Sequence, residues 1–153
     1  MLTKLRRTTT GALALTALVT GLLLSGAGTA SAQHQYGDRL NRGESLAPGE
    51  SIQRSGMDGL GNYLVWRLVM QTDGNLVEYK MNRYGTRVCW ASNTYTGASG
   101  NRAVYQHDGN FVVYTPSGQA VWASHTMGHA GETVDINSSG VTYVGHTPIS
   151  GAC

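Results

Sequence analysis

The string QTDGNLVEY, residues 71 to 79, returns almost unchanged as QHDGNFVVY at residues 106 to 114. With about 5% usage per residue type, a match of this kind arises by chance roughly once in a million starts. The sequence therefore indicates an internal duplication, and a repeat of this length decides the fold class. The matched positions are Gln71/Gln106, Asp73/Asp108, Asn75/Asn110, Val77/Val112 and Tyr79/Tyr114.

A second marker follows each motif, as CWASNT at residues 89 to 94 and VWASHT at residues 121 to 126. One such unit cannot bury its own apolar face, so a third copy is expected. Residues 134 to 145, VDINSSGVTYVG, fit as a degenerate copy, which places the repeats near 60–94, 100–126 and 130–150. Residues 40 to 53 would supply the remaining strands. The motif positions of the third copy are all substituted, to Asn137, Ser139, Val141, Tyr143 and Gly145.

Short apolar runs separated by turn residues dominate the chain after its first 32 residues. Runs such as YLVWRLVMQ and NFVVYT are rich in β-branched and aromatic residues, and 21 glycines but only 3 prolines punctuate the sequence. This pattern predicts an all-β domain. Each Asp-Gly-Asn predicts a hairpin turn, because glycine adopts the positive φ that a tight turn requires.

The motif side chains predict a sugar site. Residues 75, 77 and 79 share one face of a strand, since successive side chains alternate. That face offers an amide, a small apolar side chain and a phenol beside a carboxylate and a second amide. Such a set suits a neutral polyhydroxylated ligand, whose hydroxyls donate and accept hydrogen bonds. The alternative is that Asp-Gly-Asn serves the turn alone, which leaves the recurrence of Gln and Tyr unexplained.

The pattern Q-x-D-x-N-x-V-x-Y followed by W-A-S-N-T resembles the bulb-type mannose-binding lectins over roughly residues 39 to 145. The resemblance implies the β-prism II fold, in which three four-stranded antiparallel sheets surround a pseudo-threefold axis, with Trp90 and Trp122 in the core. The alternative is that these tryptophans are exposed stacking platforms. The long stretch before the first motif, SGMDGLGNYLVW, is expected to reshape the first site.

The same resemblance implies a role for each motif residue. Asp73 and Asn75 would bind the axial 2-hydroxyl of mannose, Gln71 the 3-hydroxyl and Tyr79 the 4-hydroxyl, while Val77 contacts the ring carbons. Two working sites are expected, without a metal or other cofactor, because the third copy has lost its motif. In the second site the same roles would fall to Asp108, Asn110, Gln106, Tyr114 and Val112.

The first 32 residues have the features of a secretory signal peptide. Lys4, Arg6 and Arg7 precede an uncharged apolar stretch, and Ala-Ser-Ala at 30 to 32 is a cleavage pattern. We expect a secreted, extracellular protein of bacterial type, with residues 33 to 153 forming a single lectin domain. The alternative of a membrane anchor is disfavoured because Gly and Thr interrupt the stretch, so no membrane insertion is expected after cleavage.

Charge argues against a polyanionic partner. Three of the eleven basic residues leave with the leader while all nine acidic residues remain, so the net charge changes from +2 to −1. No basic run is left to follow a phosphate backbone, and nucleic acid is therefore not an expected partner.

The two cysteines, Cys89 and Cys153, suggest a disulfide in an oxidising compartment. Two free thiols and an intermolecular bridge are the alternatives. In the chain-entropy model, closing a loop this long contributes about 4 kcal/mol of stability. The family resemblance suggests a homodimer formed by exchange of C-terminal strands, and a bridge within one chain would weigh against that exchange.

The sequence does not predict an enzyme. Cys89 directly precedes a core-type tryptophan, and Asp73 and Asp108 belong to different repeats, too far apart to act as a carboxylate pair. His125 and His129 lack a helix and an acidic partner, so no metal site is expected. The predicted function is a secreted, multivalent, non-enzymatic lectin for α-mannose-containing glycans. The alternative is a secreted antimicrobial or protein-interaction module on the same fold.

Overall fold

Three four-stranded sheets form the part of the chain that the computed structural model describes, residues 37–95 and 100–153. The predicted signal peptide, residues 1 to 32, lies outside this part. Within it, no helix has the length and apolar character needed to cross a membrane. The strands are β1 (Arg39–Asn41), β2 (Ser45–Leu46), β3 (Ser51–Met57), β4 (Tyr63–Met70), β5 (Leu76–Asn82), β6 (Gly85–Ala91), β7 (Arg102–Tyr105), β8 (Phe111–Tyr114), β9 (Ala120–Ala123), β10 (Thr133–Ile136), β11 (Thr142–Val144) and β12 (Thr147–Pro148).

The sheets follow the repeats, with strands shared from the start of the domain. The first sheet is the meander β3-β4-β5-β6, the second has the order β2-β7-β8-β9 and the third β1-β10-β11-β12. Residues 40 to 53 therefore supply strands to all three sheets, as the sequence predicted. Neighbouring strands are antiparallel, so the fold is the all-β arrangement of three four-stranded sheets that was expected.

One apolar face of each sheet packs into a common core. Leu40, Leu46 and Ile52, from the first strands of the three sheets, are each 0% exposed. Trp90 and Trp122 are half-buried against this core and meet edge to face, with ring centroids 5.3 Å apart. The prediction of a core position holds in part, since both rings pack against the core without being fully buried, and Trp66 on β4 is the most deeply buried of the three tryptophans, with 4% exposure.

The predicted bond between Cys89 and Cys153 is present, and it lies within one chain. It joins residues 64 apart in sequence, with their Cα atoms 5.6 Å apart. The tail is also held by hydrogen bonds: Cys153 N donates to Ser139 O at 3.1 Å and Lys80 Nζ donates to Cys153 O at 2.7 Å. Because β12 pairs with β11 of its own chain, the C-terminal segment completes its own third sheet.

A β-bulge precedes the motif tyrosine in both intact repeats. The register shifts between Glu78 and Tyr79 against β6, and between Val113 and Tyr114 against β9. The bulge inserts one extra residue on the partner strand, which bends the pair and re-aims the side chains beside it. Each tyrosine is therefore directed by a backbone feature that both repeats keep.

Glu78 is a carboxylic acid inside the core. It is 0% exposed, whereas the corresponding residue of the second repeat is Val113. Its Oε2 accepts a hydrogen bond from Thr142 Oγ1 at 2.8 Å, and its Oε1 has no partner among the described residues. Burial raises the pKa of Glu78, against the smaller opposing effect of the Thr142 and Ser150 hydroxyls near its carboxyl group.

This raised pKa predicts how stability varies with pH. The folded protein binds the Glu78 proton more tightly than the unfolded chain does. The stabilising effect of protonation is therefore complete below the ordinary carboxyl pKa of 4.5, and it is lost as pH rises through the pKa of the folded state. We expect Glu78→Gln to raise the free energy of unfolding at pH 8 by at least about 1 kcal/mol and to have little effect near pH 4. Urea unfolding at both pH values checks this.

Glu132→Gln, at an exposed carboxylate whose Oε2 lies 3.1 Å from Arg42 Nε, is the control for a general effect of charge and should not stabilise the protein at pH 8. Equal changes in the two variants, or a benefit of Glu78→Gln confined to low pH, would contradict the assignment of Glu78 as the costly buried acid.

Candidate functional site

The two motifs form hairpin turns of the same geometry. Gln71 N donates to Asn75 O at 2.8 Å, and Gly74 has a φ of 92°. Asp73 Oδ1 accepts from Asn75 N at 3.0 Å, so one carboxylate oxygen stabilises the turn. The second motif repeats this turn, with Gln106 N to Asn110 O at 2.9 Å, a φ of 89° at Gly109 and Asn110 N to Asp108 Oδ1 at 2.9 Å.

The outlying glutamine and tyrosine contact each other in both motifs. Gln71 Nε2 donates to Tyr79 Oη at 2.6 Å, and Gln106 Nε2 donates to Tyr114 Oη at 2.8 Å. Because the phenol oxygen accepts this bond, its own proton stays available to a ligand, as does the carbonyl oxygen of the glutamine. The pair explains why the two residue types recur together eight positions apart.

The motif asparagine is held by the segment that follows the strand bearing the tryptophan. Asn75 Oδ1 accepts from Ser92 Oγ at 3.1 Å and from Thr94 N at 3.2 Å. A backbone N–H can only donate, so this contact requires the carbonyl oxygen of the side chain and leaves the NH₂ group free to donate elsewhere. Asn110 is held in the same way by Ser124 Oγ at 3.2 Å and Thr126 N at 3.3 Å.

The same serine and threonine fix the hairpin backbone. Ser92 Oγ accepts from Leu76 N at 3.1 Å, and Thr94 Oγ1 donates to Gly74 O at 2.7 Å. The second repeat keeps both contacts through Ser124 and Thr126, at 2.9 and 2.6 Å. In the sequence, W-A-S-x-T served only as a repeat marker with a predicted core tryptophan. The recurrence of Ser and Thr at fixed positions after each tryptophan was the available signal for this positioning role.

Each intact motif therefore presents a fixed pattern of donors and acceptors. In the first site these atoms are Asp73 Oδ2, Asn75 Nδ2, Gln71 Oε1 and the hydroxyl hydrogen of Tyr79, which have no partner within the described residues. Across residues 37–95 and 100–153, Trp66 Nε1 and Glu78 Oε1 are the buried side-chain atoms that lack a partner. The unpaired site atoms consequently face solvent.

The apolar position of each motif lies beneath these polar groups. Val77 is 2% exposed and Val112 is 3% exposed, although both lie on the outer faces of their sheets. They form a closed floor, and the polar atoms around it provide two donors and two acceptors. Vicinal hydroxyls match this pattern, because each hydroxyl can donate one hydrogen bond and accept others.

The third hairpin keeps the backbone turn of the other two but lacks their pattern of donor and acceptor side chains. Asn137 Oδ1 accepts from Ser139 N at 2.9 Å and from Val141 N at 3.0 Å, so its carbonyl stabilises the turn. Gly145 stands where the other repeats have tyrosine, and a Cβ there would overlap Ala130 O. The backbone of the preceding loop thus occupies the tyrosine position, and Val141 replaces the asparagine.

The structure separates the two motif aspartates. Asp73 belongs to the first sheet and Asp108 to the second. His129 Nδ1 lies 2.9 Å from Thr147 Oγ1. Within residues 37–95 and 100–153, no three His, Cys, Asp or Glu side chains come together as a metal-binding group.

No protein-family model matches the chain. It is 34% identical over 87 residues to the B-type lectin plumieribetin of Scorpaena plumieri, a match that covers 57% of this chain and 66% of that protein. It is 41% identical over 61 residues to a mannose-specific lectin of Aloe arborescens, which covers 39% of this chain and 50% of that protein. The chain thus spans between half and just under two thirds of these curated relatives.

A solved structure extends the similarity to nearly a whole domain. The mannose-specific agglutinin from snowdrop (Galanthus nivalis) bulbs, in complex with methyl α-D-mannoside, is 31% identical, with a TM-score of 0.56. The alignment covers 72% of this chain and 90% of that one. Together with the three-sheet fold and the two intact motifs, this similarity shows that the chain belongs to the bulb-type mannose-binding lectin family, with the β-prism II fold.

Proposed function

We propose that this protein is a non-enzymatic lectin that binds α-mannose-containing glycans at two sites, one on the first sheet and one on the second. The observation that carries the proposal is the orientation of Asn75 and Asn110. In both sites serine and threonine hold the side-chain carbonyl, so the NH₂ group is left as a donor beside a free aspartate oxygen.

A donor beside an acceptor is what one sugar hydroxyl requires. In the proposed complex the Asn75 NH₂ donates to the 2-hydroxyl of mannose, and Asp73 Oδ2 accepts its proton. Gln71 Oε1 accepts from the 3-hydroxyl, and the Tyr79 hydroxyl donates to the 4-hydroxyl. The side chains supply both donors and acceptors themselves, so we propose that binding needs no metal. The snowdrop relative, solved with methyl α-D-mannoside, supports mannose as the sugar.

The proposed affinity of each site is low, and two sites raise the affinity for a large glycan. A shallow site with four or five hydrogen bonds to one sugar typically has a Kd of about 1 mM, equivalent to about −4 kcal/mol. Two sites on one chain that engage the same branched or polymeric glycan gain effective concentration without any new contact. We therefore propose that the protein binds its glycans multivalently.

We also propose that the protein is exported and acts outside the cell. The signal-peptide pattern of residues 1 to 32 and the disulfide both favour an oxidising compartment.

A homodimer remains a prediction of the family resemblance. The bond between Cys89 and Cys153 of one chain opposes exchange of C-terminal strands, because it ties the tail to the first sheet. Bivalence within one chain does not depend on such a dimer.

The proposal is tested by isosteric changes of the two asparagines. Asn75→Asp and Asn110→Asp keep the oxygen that accepts from serine and threonine but replace the NH₂ donor with a second acceptor. In calorimetric titrations with methyl α-mannoside and a mannobiose, each single variant should keep about half of the binding heat at saturation. The double variant should bind neither sugar.

Asn137→Asp, in the third hairpin, is the matched control and should bind as the unaltered protein does. A flat titration of the unaltered, folded protein would contradict the proposal. The intact motifs would then serve the turns alone, and the antimicrobial or protein-interaction role on this fold would become the one to pursue.

The positioning role of the serine gives a separate prediction. Ser92→Ala removes the hydroxyl that holds Asn75, so we expect the first site to bind methyl α-mannoside about fivefold more weakly, as the loss of about 1 kcal/mol implies. Site-resolved NMR titration measures this change. Ser150→Ala is a matched control, because Ser150 Oγ accepts from Thr142 N at 2.8 Å in the third hairpin. Equal effects of the two variants on sugar binding would refute the role.

A further inference from the structure

The two intact repeats share an arginine that has no assigned role in sugar binding. Arg67 and Arg102 each stand four positions before the motif glutamine, and Thr133 stands at that position in the degenerate third copy. At this repeat position, arginine therefore occurs only in the two copies that keep the sugar-binding pattern. Both arginines lie on outer sheet faces, where core packing does not require them.

Each arginine lies directly across the sheet from the motif tyrosine. Arg67 pairs with Tyr79 in the β4–β5 register, and Arg102 pairs with Tyr114 in the β7–β8 register. Opposite residues of an antiparallel pair have Cβ atoms about 5 Å apart on the same face. The guanidinium groups are thus within reach of a ligand that contacts the phenol.

The first arginine is held in place. Arg67 Nε and Nη2 donate to Gln53 Oε1 on β3, at 3.3 and 3.0 Å. One guanidinium nitrogen, Nη1, has no partner within the described residues, and the side chain is half-buried. Gln53 therefore orients the guanidinium and leaves part of its donor set available. Arg102, on the shorter second sheet, is exposed.

A groove extends from the first site past this arginine. A cavity of about 300 Å³ is lined by Arg67, Tyr79, Met81 and Thr86, so it opens beside the motif tyrosine. A second cavity of about 550 Å³ shares Met81 and continues to Tyr63 and Arg83. The described lining of both contains arginines and no carboxylate. The long β3–β4 hairpin, formed by the insertion before the first motif, builds this groove.

We infer that Arg67, and more weakly Arg102, forms an anion subsite that binds a carboxylate or phosphate group on the mannose-containing glycan, at the side of the sugar that faces the motif tyrosine. A guanidinium donates charge-assisted hydrogen bonds to either group in a fixed planar geometry. The inference rests on the proposed sugar binding, because the mannose ring positions the anion. Arg67 is the stronger partner, since Gln53 orients it and the groove partly encloses it.

Three single-sugar ligands test the inference. Methyl α-mannoside is neutral, its 6-phosphate carries a phosphate ester, and methyl α-mannosiduronate carries a carboxylate at carbon 6, next to the 4-hydroxyl assigned to the tyrosine. We expect at least one anionic ligand to bind the first site up to about fivefold more tightly than the neutral one, the range of a solvent-accessible ion pair. The two anionic ligands distinguish phosphate from carboxylate recognition.

Substitution of each arginine tests whether its guanidinium group causes the preference for anionic ligands. In Arg67→Gln the ratio of anionic to neutral affinity at the first site should fall to about one, and Arg102→Gln should act in the same way on the smaller ratio at the second site. Arg39→Gln is the matched control, because it removes the same charge from the third sheet, where the side chain pairs with Asp38 on the surface. The ratio should also fall as salt rises from about 0.02 M to 0.5 M.

The outcomes separate this inference from the proposed function. Binding of methyl α-mannoside without any preference for the anionic ligands overturns the anion subsite and leaves the lectin proposal intact. A preference that survives Arg67→Gln, or one that Arg39→Gln abolishes equally, overturns the assignment to Arg67. No binding of any of the three ligands overturns both.

Discussion

The apolar face of each sheet has to be covered, and no sheet of four short strands can cover its own. This constraint organises the molecule. Leu40, Leu46 and Ile52 reach the core from the first strands of three different sheets, and none of them is exposed. Closing three sheets on one core directs their outer faces and hairpin turns toward solvent. The predicted sugar sites lie at those turns, where polar side chains cost nothing in core packing.

Within that frame, the precision of each site depends on hydrogen bonds between neighbouring strands. The motif hairpin supplies the asparagine, and the segment just after the tryptophan strand supplies the serine and threonine that orient it. A bulge at the same place in both repeats sets the direction of the tyrosine. Rigid support of this kind lowers the ordering cost of ligand binding, which matters for a shallow site with few contacts.

The third repeat shows which of these features belong to the fold and which to the site. Its hairpin has the same backbone turn, and Ser150 caps Thr142 N as the other serines cap their strands. The asparagine and tyrosine positions have become Val141 and Gly145, and the backbone at Ala130 packs against Gly145. Folding therefore requires the turn and the serine, whereas the amide, carboxylate and phenol are dispensable for it.

Periodicity and repetition predicted the all-β class, a third repeat and two intact motifs, while the family resemblance implied three four-stranded sheets and the pair of cysteines suggested the bond between Cys89 and Cys153. These features follow from local pattern, which a single sequence contains. The burial of Trp66 and the contact of Glu78 with Thr142 depend on how sheets distant in sequence pack together, and pattern alone does not specify that. The support of Asn75 by Ser92 was readable in the repeat but needed the strand register for its meaning.

The most direct test of the central claim is an NMR titration of the isotopically labelled protein with methyl α-mannoside. The account predicts that the side-chain NH₂ signals of Asn75 and Asn110 and the backbone signals of Gly74 and Gly109 shift together, while those of Gly140 in the third hairpin stay in place. Shifts centred on the third hairpin, or none at either intact motif, would contradict the claim that the two conserved hairpins bind the sugar.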